Sequence, residues 1–250
     1  MGRRYDTISL LTDYGHADEF VGVVKSVIRD LAPHVVTIDL AHDLPPFDVR
    51  AGALALARCI PYVATGLVIA IVDPGVATDR AAVAIEVAGG EGVLLGPDNG
   101  LLAPAVALAG GAGRAVALTN PAYQLPAPGP TFAGRDVFAP AAAHLANGVD
   151  LTDLGVAVDP DLLRPGIVPL TRHEDGAVVG EVLWVDRFGN AQVNVDPDEI
   201  EDLGPRIGVT IGGSRRVARR VEAFAALGPG ELGLVVDSYG LLALCLDRGS

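Results

Sequence analysis

Two aspartates stand directly after predicted β-strands, where a carboxylate can meet a bound ligand. Asp13 follows the first β-rich run of the chain, and Asp73 follows the third. Asp98 and Asn99 lie in a turn after a later strand. In open α/β sheets, ligands bind at the carboxyl ends of the strands, so these side chains are candidates for ligand binding. A strand-end aspartate can equally cap the helix that follows it, and the residues alone leave both interpretations open.

The sequence lacks the motifs of several common cofactor and nucleophile sites. Gly111-Ala112-Gly113 precedes a strand instead of following one, so it is not a dinucleotide-binding loop. A Walker-type GKS or GKT and a GxSxG nucleophile elbow are both absent. The five histidines have no metal-site spacing, and Cys59 and Cys245 have no CxxC partner. We therefore predict neither a metal site nor a bound cofactor.

The candidate aspartates are positioned by strands that alternate with helices in the first part of the chain. Several of these strands are continuously apolar, which is typical of a mostly parallel sheet covered by helices on both faces. Strands are predicted at Thr7–Leu11, Val35–Leu40, Leu67–Val72, Ala81–Val87, Gly92–Leu95 and Ala115–Leu118. Helices are predicted at Ala17–Leu31, Phe47–Cys59, Leu101–Leu108 and Asp136–Asn147.

After about Gly155 the pattern changes to short strands separated by Gly and Asp turns. This pattern indicates a small, all-β, barrel-like domain. We therefore predict an α/β domain over residues 1–165 and a β-barrel domain over residues 170–250. The strands of the second domain are predicted at Ala177–Val185, Ala191–Val195, Ile207–Ile211, Arg216–Phe224, Leu232–Val236 and Leu241–Leu246.

Composition and charge exclude some classes of function. The chain has 250 residues, half of them hydrophobic, and a formal net charge of −13. Such an acidic chain is a poor candidate for binding nucleic acid or an anionic membrane. The most apolar region, Gly52–Val72, is interrupted by Arg58 and Pro61, which argues against a membrane span. The N-terminus has no signal-peptide pattern, so we expect a cytoplasmic protein.

Seven segments of the chain resemble, in order, the serial motifs of a known enzyme family. They are LLTDYGHADEFVGVVKSVI, DLAHDLPPFDVRAGALAL, VDPGVATDRAAVAIE, GPDNGLLAPA, TFAGRDVFAPAAAHLANG, VDRFGNAQVN and DSYGLLALCLDRG. The family is that of the S-adenosyl-L-methionine (SAM) hydroxide adenosyltransferases, relatives of the SAM-dependent chlorinases and fluorinases. The resemblance implies a SAM-binding α/β domain, a C-terminal β-barrel and a homotrimer. Each active site would lie between one subunit's N-terminal domain and its neighbour's C-terminal domain.

The resemblance also implies which residues bind the substrate. Asp13 would hold the ribose diol, because a carboxylate can accept both hydroxyl hydrogens. Phe47 would form an aromatic wall beside the ligand, and Tyr239 stands where halogenases carry an arginine for the methionine carboxylate. The remaining implied positions are Asp18, Phe132, Gly134, Asp186, Phe188, Asn190 and Ser238.

Within that set, the resemblance assigns separate roles in the second domain. Phe188 and Asn190 would stack on and hydrogen-bond to adenine. Asp186 and Ser238 would hold the methionine ammonium. Without the resemblance, Phe188 could be ordinary barrel core, and Asp186 with Gly189 could simply make a turn.

The implied reaction is attack on the ribose 5′ carbon of the substrate SAM, which releases adenosine and L-methionine. In the hydroxide branch of the family, an Asp-Arg-His set orients and activates water. Asp73 matches the aspartate, and Arg80 in DPGVATDR matches the arginine. By itself this pair could be a surface salt bridge. Ala133 stands where the family has histidine, directly before Gly134.

The alanine at position 133 predicts slow turnover, since losing one acid–base group typically costs roughly 10²- to 10⁴-fold in rate. The sequence leaves open whether Ala133 is a natural variant or an engineered substitution. It also leaves open a SAM- or adenosine-binding protein with little catalysis, and a SAM-dependent chlorinase. An ionised Asp73 about 4 Å from chloride would repel it by roughly 4 kcal/mol at an effective dielectric of about 20. Hydrolysis is therefore favoured over chlorination.

Overall fold

The computed structural model of the protein describes residues 4–63 and 65–248. The chain divides into two units, Met1–Ile167 and Val168–Ser250. The strands of the first unit are β1 (Thr7–Thr12), β2 (Val36–Ala41), β3 (Leu67–Ile71), β4 (Ala82–Val87), β5 (Gly92–Pro97), β6 (Ala112–Ala117) and β7 (Val156–Val158). Its α-helices are α1 (Phe20–Leu31), α2 (Val49–Cys59), α3 (Ala103–Leu108) and α4 (Ala139–Ala146).

Among the described residues, the strands of the first unit form one sheet in the order β2-β1-β3-β5-β4-β6-β7. Strands β2, β1, β3 and β5 run parallel to one another, whereas β4, β6 and β7 join through antiparallel pairs. The predicted α/β architecture with a mostly parallel sheet is confirmed. Because β1, β3 and β5 are parallel neighbours, the loops that follow them meet at one edge of the sheet.

Helices cover both faces of this sheet. Successive side chains of a strand point to opposite faces, and in β3 both sets are buried. Ile69 belongs to a hydrophobic core that includes Ile28 of α1 and residues of α4. Ala70 belongs to a second core that includes Leu56 of α2 and Ala105 of α3. The continuously apolar strand is explained by this burial on two sides.

Helix α2 begins two residues later than predicted. Phe47 has a backbone φ of 66°, in the left-handed region, which a right-handed helix does not contain. Asp48 then caps the helix, because its side chain accepts a hydrogen bond from the backbone N–H of Ala51 at 2.9 Å. The predicted start at Phe47 was therefore wrong. Phe47 lies before the helix, in a left-handed backbone conformation.

The starts of two other helices also differ from the prediction. Helix α1 begins at Phe20 and not at Ala17, since residues 16–19 form bends at the sheet edge. The start of the predicted helix Asp136–Asn147 lies inside a π-helical turn, Gly134–Phe138, which leads directly into α4. A π-helical turn inside a helical stretch often marks a functional site.

The second unit is rich in β-structure, as predicted. Its strands are β8 (Arg172–Glu174), β9 (Ala177–Val179), β10 (Val182–Val185), β11 (Ala191–Val193), β12 (Arg206–Ile211), β13 (Ser214–Arg220), β14 (Leu232–Val236) and β15 (Leu242–Cys245). Within the part of the chain that the structure describes, six of them form a sheet in the order β10-β11-β15-β14-β13-β12. Strands β8 and β9 form a separate hairpin.

The single strand predicted at Ala177–Val185 is wrong, because the chain leaves the strand at Gly180. A Cβ atom at Gly180 would lie 2.6 Å from Val195 and 2.8 Å from the side chain of Asn194. The side-chain oxygen of Asn194 also accepts the backbone N–H of Glu181 at 2.6 Å. These contacts with Asn194 lie at the break between β9 and β10. Across residues 4–63 and 65–248, no helix is long and apolar enough to cross a membrane.

Candidate active site

Asp73 and Arg80 form a nearly buried ion pair at the carboxyl edge of the first sheet. Arg80 Nε donates to Asp73 Oδ1 at 2.8 Å, and Arg80 Nη2 donates to Asp73 Oδ2. The Asp73 side chain is only 5% exposed, and the Arg80 side chain is 12% exposed. Two parallel hydrogen bonds from a guanidinium fix both the position and the plane of a carboxylate. The pair is therefore not the surface salt bridge that the residues alone allowed.

The loop between the two residues folds back tightly to make this contact. The hydroxyl of Thr78 donates to the carbonyl of Gly75 at 2.7 Å, and the N–H of Arg80 donates to the Thr78 hydroxyl at 3.4 Å. A Cβ atom at Gly75 would lie 3.3 Å from Arg80 Cγ. The stem of the arginine thus runs across a glycine to reach the strand end.

The strand end itself is held by Asn99, from the loop after β5. Its side-chain N–H donates to the carbonyl of Val72 at 2.9 Å, and its side-chain oxygen accepts the N–H of Leu101 at 3.1 Å. Asp98 accepts the backbone N–H of Arg164 at 2.8 Å. Both residues that the sequence singled out in this turn therefore fasten backbone segments of the first unit.

Asp13, after β1, contacts Ile71 through its backbone, two residues before Asp73, and contacts Phe47 through its side chain. Its N–H donates to the carbonyl of Ile71 at 3.2 Å. Its Oδ2 accepts the backbone N–H of Phe47 at 2.9 Å. Phe47 is 72% exposed and has a positive φ, and strained residues persist where the surroundings enforce them, often at ligand sites. The structure thus brings Asp13, Phe47 and the Asp73–Arg80 pair to one edge.

The TFAGRD segment enters the same region from the π-helical turn. Ala133 is 9% exposed and belongs to the core that contains α1 and α4. The ring of Phe132 packs at 5.0 Å from the ring of Phe20, edge to face. The guanidinium of Arg135 lies 5.0 Å above the Phe132 ring and forms a two-point contact with the buried Asp136. These contacts fix the backbone on both sides of position 133.

Tyr14 is a residue of this region that the sequence interpretation missed. Its ring packs against Phe20 at 5.5 Å and Phe132 at 5.9 Å. Burial, then the charges of Asp13 and Asp73, raise the pKa of its phenol well above the usual value. A hydrogen bond with the Gly134 backbone opposes this rise. The signal in the sequence was its place, directly after a strand-end aspartate and before a glycine.

His42 was missed as well, although it is almost fully buried. Its Nε2 lies 3.1 Å from Asp39 Oδ1, and its Nδ1 lies 2.9 Å from the hydroxyl of Thr12. Because a carboxylate only accepts, Nε2 donates to Asp39, and in the neutral ring Nδ1 then accepts from the Thr12 hydroxyl. The same hydroxyl oxygen accepts the N–H of Tyr14 at 3.2 Å. The backbone on both sides of Asp13 is therefore anchored by a buried polar chain.

In the second unit, Asp186 organises the loop between β10 and β11. Its Oδ1 accepts the N–H groups of Phe188 at 2.8 Å and Asn190 at 2.9 Å, and its Oδ2 accepts Asn190 Nδ2 at 2.9 Å. Burial acts to raise the pKa of Asp186, but these hydrogen bonds outweigh it and lower the pKa. The turn with Gly189 is therefore real. Phe188 is 72% exposed, so it is not barrel core.

A loop of the same design precedes β15. Asp237 Oδ1 accepts the N–H groups of Tyr239 at 2.8 Å and Leu241 at 3.1 Å. Ser238 and the half-exposed Tyr239 lie in this loop. Because β11 and β15 are antiparallel neighbours, the loops before them lie at opposite ends of the pair. Within the second unit, Asp186 and Ser238 are thus at opposite ends, and Gln192 bridges from β11 to Asp237.

Two further points concern the predicted site residues. Asp18 is exposed, in the bends before α1. In the described ranges, no group of three or more His, Cys, Asp or Glu side chains is arranged to bind a metal ion.

Comparison with known proteins identifies the family. Residues 8–155 match the SAM hydroxide adenosyltransferase N-terminal domain, and residues 180–250 match the C-terminal domain of the same family. An (R)-S-adenosyl-L-methionine hydrolase of Salinispora tropica is 45% identical over 97% of this chain and 90% of its own length. A protein of the same name from Thermus thermophilus is 42% identical over 97% and 92%.

A solved structure agrees with this relationship. The crystal structure of an uncharacterised conserved protein from Thermotoga maritima superposes with a TM-score of 0.88 at 31% identity. The match covers 97% of this chain and 93% of that chain. With family domains matching most of its length, the chain belongs to the SAM hydroxide adenosyltransferase family.

Proposed function

We propose that this protein hydrolyses SAM to adenosine and L-methionine. The observation that carries the proposal is the Asp73–Arg80 pair, which is nearly buried and doubly hydrogen-bonded. It lies at the sheet edge that also presents Asp13 and the exposed ring of Phe47. The names of the relatives, which are SAM hydrolases, support the same reaction.

The chemistry asks little of the protein besides positioning. The oxygen of a water molecule forms a bond to the ribose 5′ carbon, and the carbon–sulfur bond breaks with its electron pair going to sulfur. Methionine leaves as a neutral thioether, so no proton has to reach the leaving group. The proton that water loses passes to the Asp73 carboxylate, which keeps free lone pairs beside its two contacts with Arg80, and then to solvent.

The substrate is bound by the two other features of the edge. Asp13 accepts the ribose hydroxyls with the carboxylate oxygens, while its Oδ2 also keeps the Phe47 backbone in place. The ring of Phe47 covers the ligand from outside, and Phe132 and Gly134 line it from the π-helical turn. Asp18 supplies a further carboxylate near the methionine ammonium.

The second unit completes the site of a neighbouring copy in a homotrimer. Phe188 stacks on adenine and Asn190 hydrogen-bonds to it, with its Nδ2 on Asp186 and its Oδ1 turned to the ligand. Ser238 holds the methionine ammonium and Tyr239 lies near the carboxylate, whereas Asp186, at the opposite end of the β11–β15 pair, keeps Asn190 in place. The six-stranded sheet curls into a barrel around its apolar cluster. A cytoplasmic location stays a prediction of the sequence.

Chromatography of SAM incubated with the protein tests the reaction, with and without chloride. We expect adenosine from the native chain, more of it from Ala133→His, and a loss of roughly 10²-fold or more from Asp73→Asn. Asp79→Asn, an exposed carboxylate in the same loop, is the matched control. Bound SAM without any product would instead support a binding protein, and a chlorinated nucleoside as the main product would support a chlorinase.

Mixing two inactive variants tests the shared site. Asp73→Asn copies and Asn190→Ala copies are each expected to lack activity. If a site combines the first unit of one copy with the second unit of its neighbour, random trimers of both variants regain about a quarter of the native activity. No recovery after dissociation and reassembly would contradict sites shared between copies.

A further inference from the structure

The hydroxyl of Tyr14 lies against Gly134, in the turn that follows Ala133. A Cβ atom built on Gly134 would be 2.6 Å from the phenol oxygen and 3.2 Å from Tyr14 Cε2. The phenol oxygen therefore packs directly against the start of the π-helical turn. Only a glycine at position 134 lets the phenol come this close to the backbone.

The same hydroxyl lies close enough to the proposed reaction centre to be influenced by its charges. Asp13, Asp73 and Arg80 all act electrostatically on the phenol. A phenol can donate its proton while its oxygen accepts, so the Tyr14 hydroxyl can donate to a water molecule. The raised pKa keeps that proton on the phenol throughout the range in which proteins are stable.

A carboxylate such as Asp73 cannot by itself orient a water molecule. A carboxylate can accept one hydrogen of the water, but the water remains free to rotate about that single hydrogen bond. A second partner that donates to the water oxygen removes this freedom and fixes the direction of the attacking lone pair. A neutral hydroxyl suits this task, because it donates without protonating the nucleophile.

We infer that Tyr14 is a further catalytic residue, whose hydroxyl donates a hydrogen bond to the water that Asp73 holds for attack. The inference rests on the proposed hydrolysis of SAM. Its geometric basis is the contact of the phenol with Gly134, together with the place of Tyr14 next to Asp13, whose N–H donates to the carbonyl of Ile71, two residues before Asp73. The water thereby has a second hydrogen-bond partner, besides Asp73, although residue 133 is an alanine.

The test is Tyr14→Phe, made both in the native chain and in an Ala133→His chain. In the native chain we expect kcat to fall roughly 10- to 100-fold, with an unchanged Kd for SAM in calorimetry. In the Ala133→His chain the loss should be much smaller, because an imidazole next to Gly134 offers the water another partner. Tyr123→Phe is the control, since Tyr123 is a half-buried tyrosine against the same core, with its ring edge to face with His144.

The outcomes separate this inference from the proposed function. Adenosine formed equally fast by the native chain and Tyr14→Phe would overturn the role of Tyr14 and leave the hydrolase. Equal losses in both backgrounds, or a raised Kd with unchanged kcat, would also overturn it. No adenosine from the native chain would overturn both. A rate step in the titration range of histidine, present for Ala133→His but not for the native chain, would support it.

Discussion

The Asp13 carboxylate accepts the backbone N–H of Phe47 at 2.9 Å, across 34 residues of chain. This contact joins the end of β1 to the loop before α2. It holds Phe47 at a φ of 66°, where an L-residue costs about 1–2 kcal/mol. One carboxylate therefore fixes the conformation of the loop and, in the proposed function, also binds the ribose.

Two replacements of Phe47 separate the effect of its ring on SAM binding from the effect of its strained backbone on stability. Phe47→Ala and Phe47→Gly should both weaken SAM binding by about tenfold, because both remove the aromatic wall. In urea unfolding, Phe47→Gly should be about 1 kcal/mol more stable than Phe47→Ala, since glycine adopts a positive φ freely. Tyr62→Ala removes another exposed ring and should not change binding. Equal stabilities of the two Phe47 variants would contradict the strain.

Arg80→Lys tests the two-point contact with Asp73. Lysine keeps the charge but cannot donate two parallel hydrogen bonds. We expect kcat to fall roughly 10- to 100-fold and stability to fall by about 1–3 kcal/mol, because the Asp73 carboxylate is buried. Arg114→Lys, in a more exposed contact with Glu86, should cost less than about 1 kcal/mol. If both variants lose the same free energy of unfolding, burial of the Asp73–Arg80 pair does not explain the loss.

Gly134→Ala should displace Tyr14, because the new Cβ would lie 2.6 Å from its oxygen. The expected cost is about 1–3 kcal/mol of unfolding free energy, together with lost hydrolysis. Adding Tyr14→Phe should recover part of the stability, since the closest atom is then gone. Gly22→Ala, in the open face of α1, should instead be neutral or stabilising. A Gly134→Ala chain as stable and active as the native one would refute the contact.

The second unit should carry a pH-dependent contribution from Asp186. Hydrogen bonds from Asn190 and from the loop backbone lower its pKa from the ordinary 3.8, against the opposing effect of burial. A lowered pKa stabilises the fold above the ordinary value, and this contribution is lost as the pH falls through the lowered one. Asp186→Asn should therefore reduce stability at pH 7 by about 1 kcal/mol or less.

The difference between the native chain and Asp186→Asn should vanish in acid, once the pH has fallen below the lowered pKa of Asp186. Urea unfolding at a series of pH values measures it. Asp202→Asn, an exposed carboxylate of the same unit, is the control and should show little difference at any pH. A gap between the native chain and Asp186→Asn that persists in acid would mean that the charge is not the cause.

The sequence predicts the site where simple patterns decide the geometry. Asp13 and Asp73 follow apolar strands, and parallel strands place their carboxyl ends together, so their proximity is foreseeable. The loop from Asp73 to Arg80 has a glycine where the arginine stem must cross, and the pairing of the two residues is foreseeable from the family resemblance.

Other features depend on side chains that meet only in the folded chain. The break at Gly180 comes from Asn194, and the buried partner of His42 is Thr12, 30 residues earlier. The positive φ of Phe47 is set by a distant carboxylate. A pattern within a short stretch of sequence does not show contacts between distant residues. For this reason the prediction from sequence missed Tyr14 and His42 and placed the start of α2 two residues too early.

The matching loops headed by Asp186 and Asp237 have a consequence for how ligand contacts can change. In each loop the aspartate and the glycine determine the backbone, while the aromatic third residue, Phe188 or Tyr239, is largely or half exposed. Selection can therefore exchange the third residue while leaving the strands and their register intact. Such loops act as interchangeable modules, in which recognition evolves separately from folding.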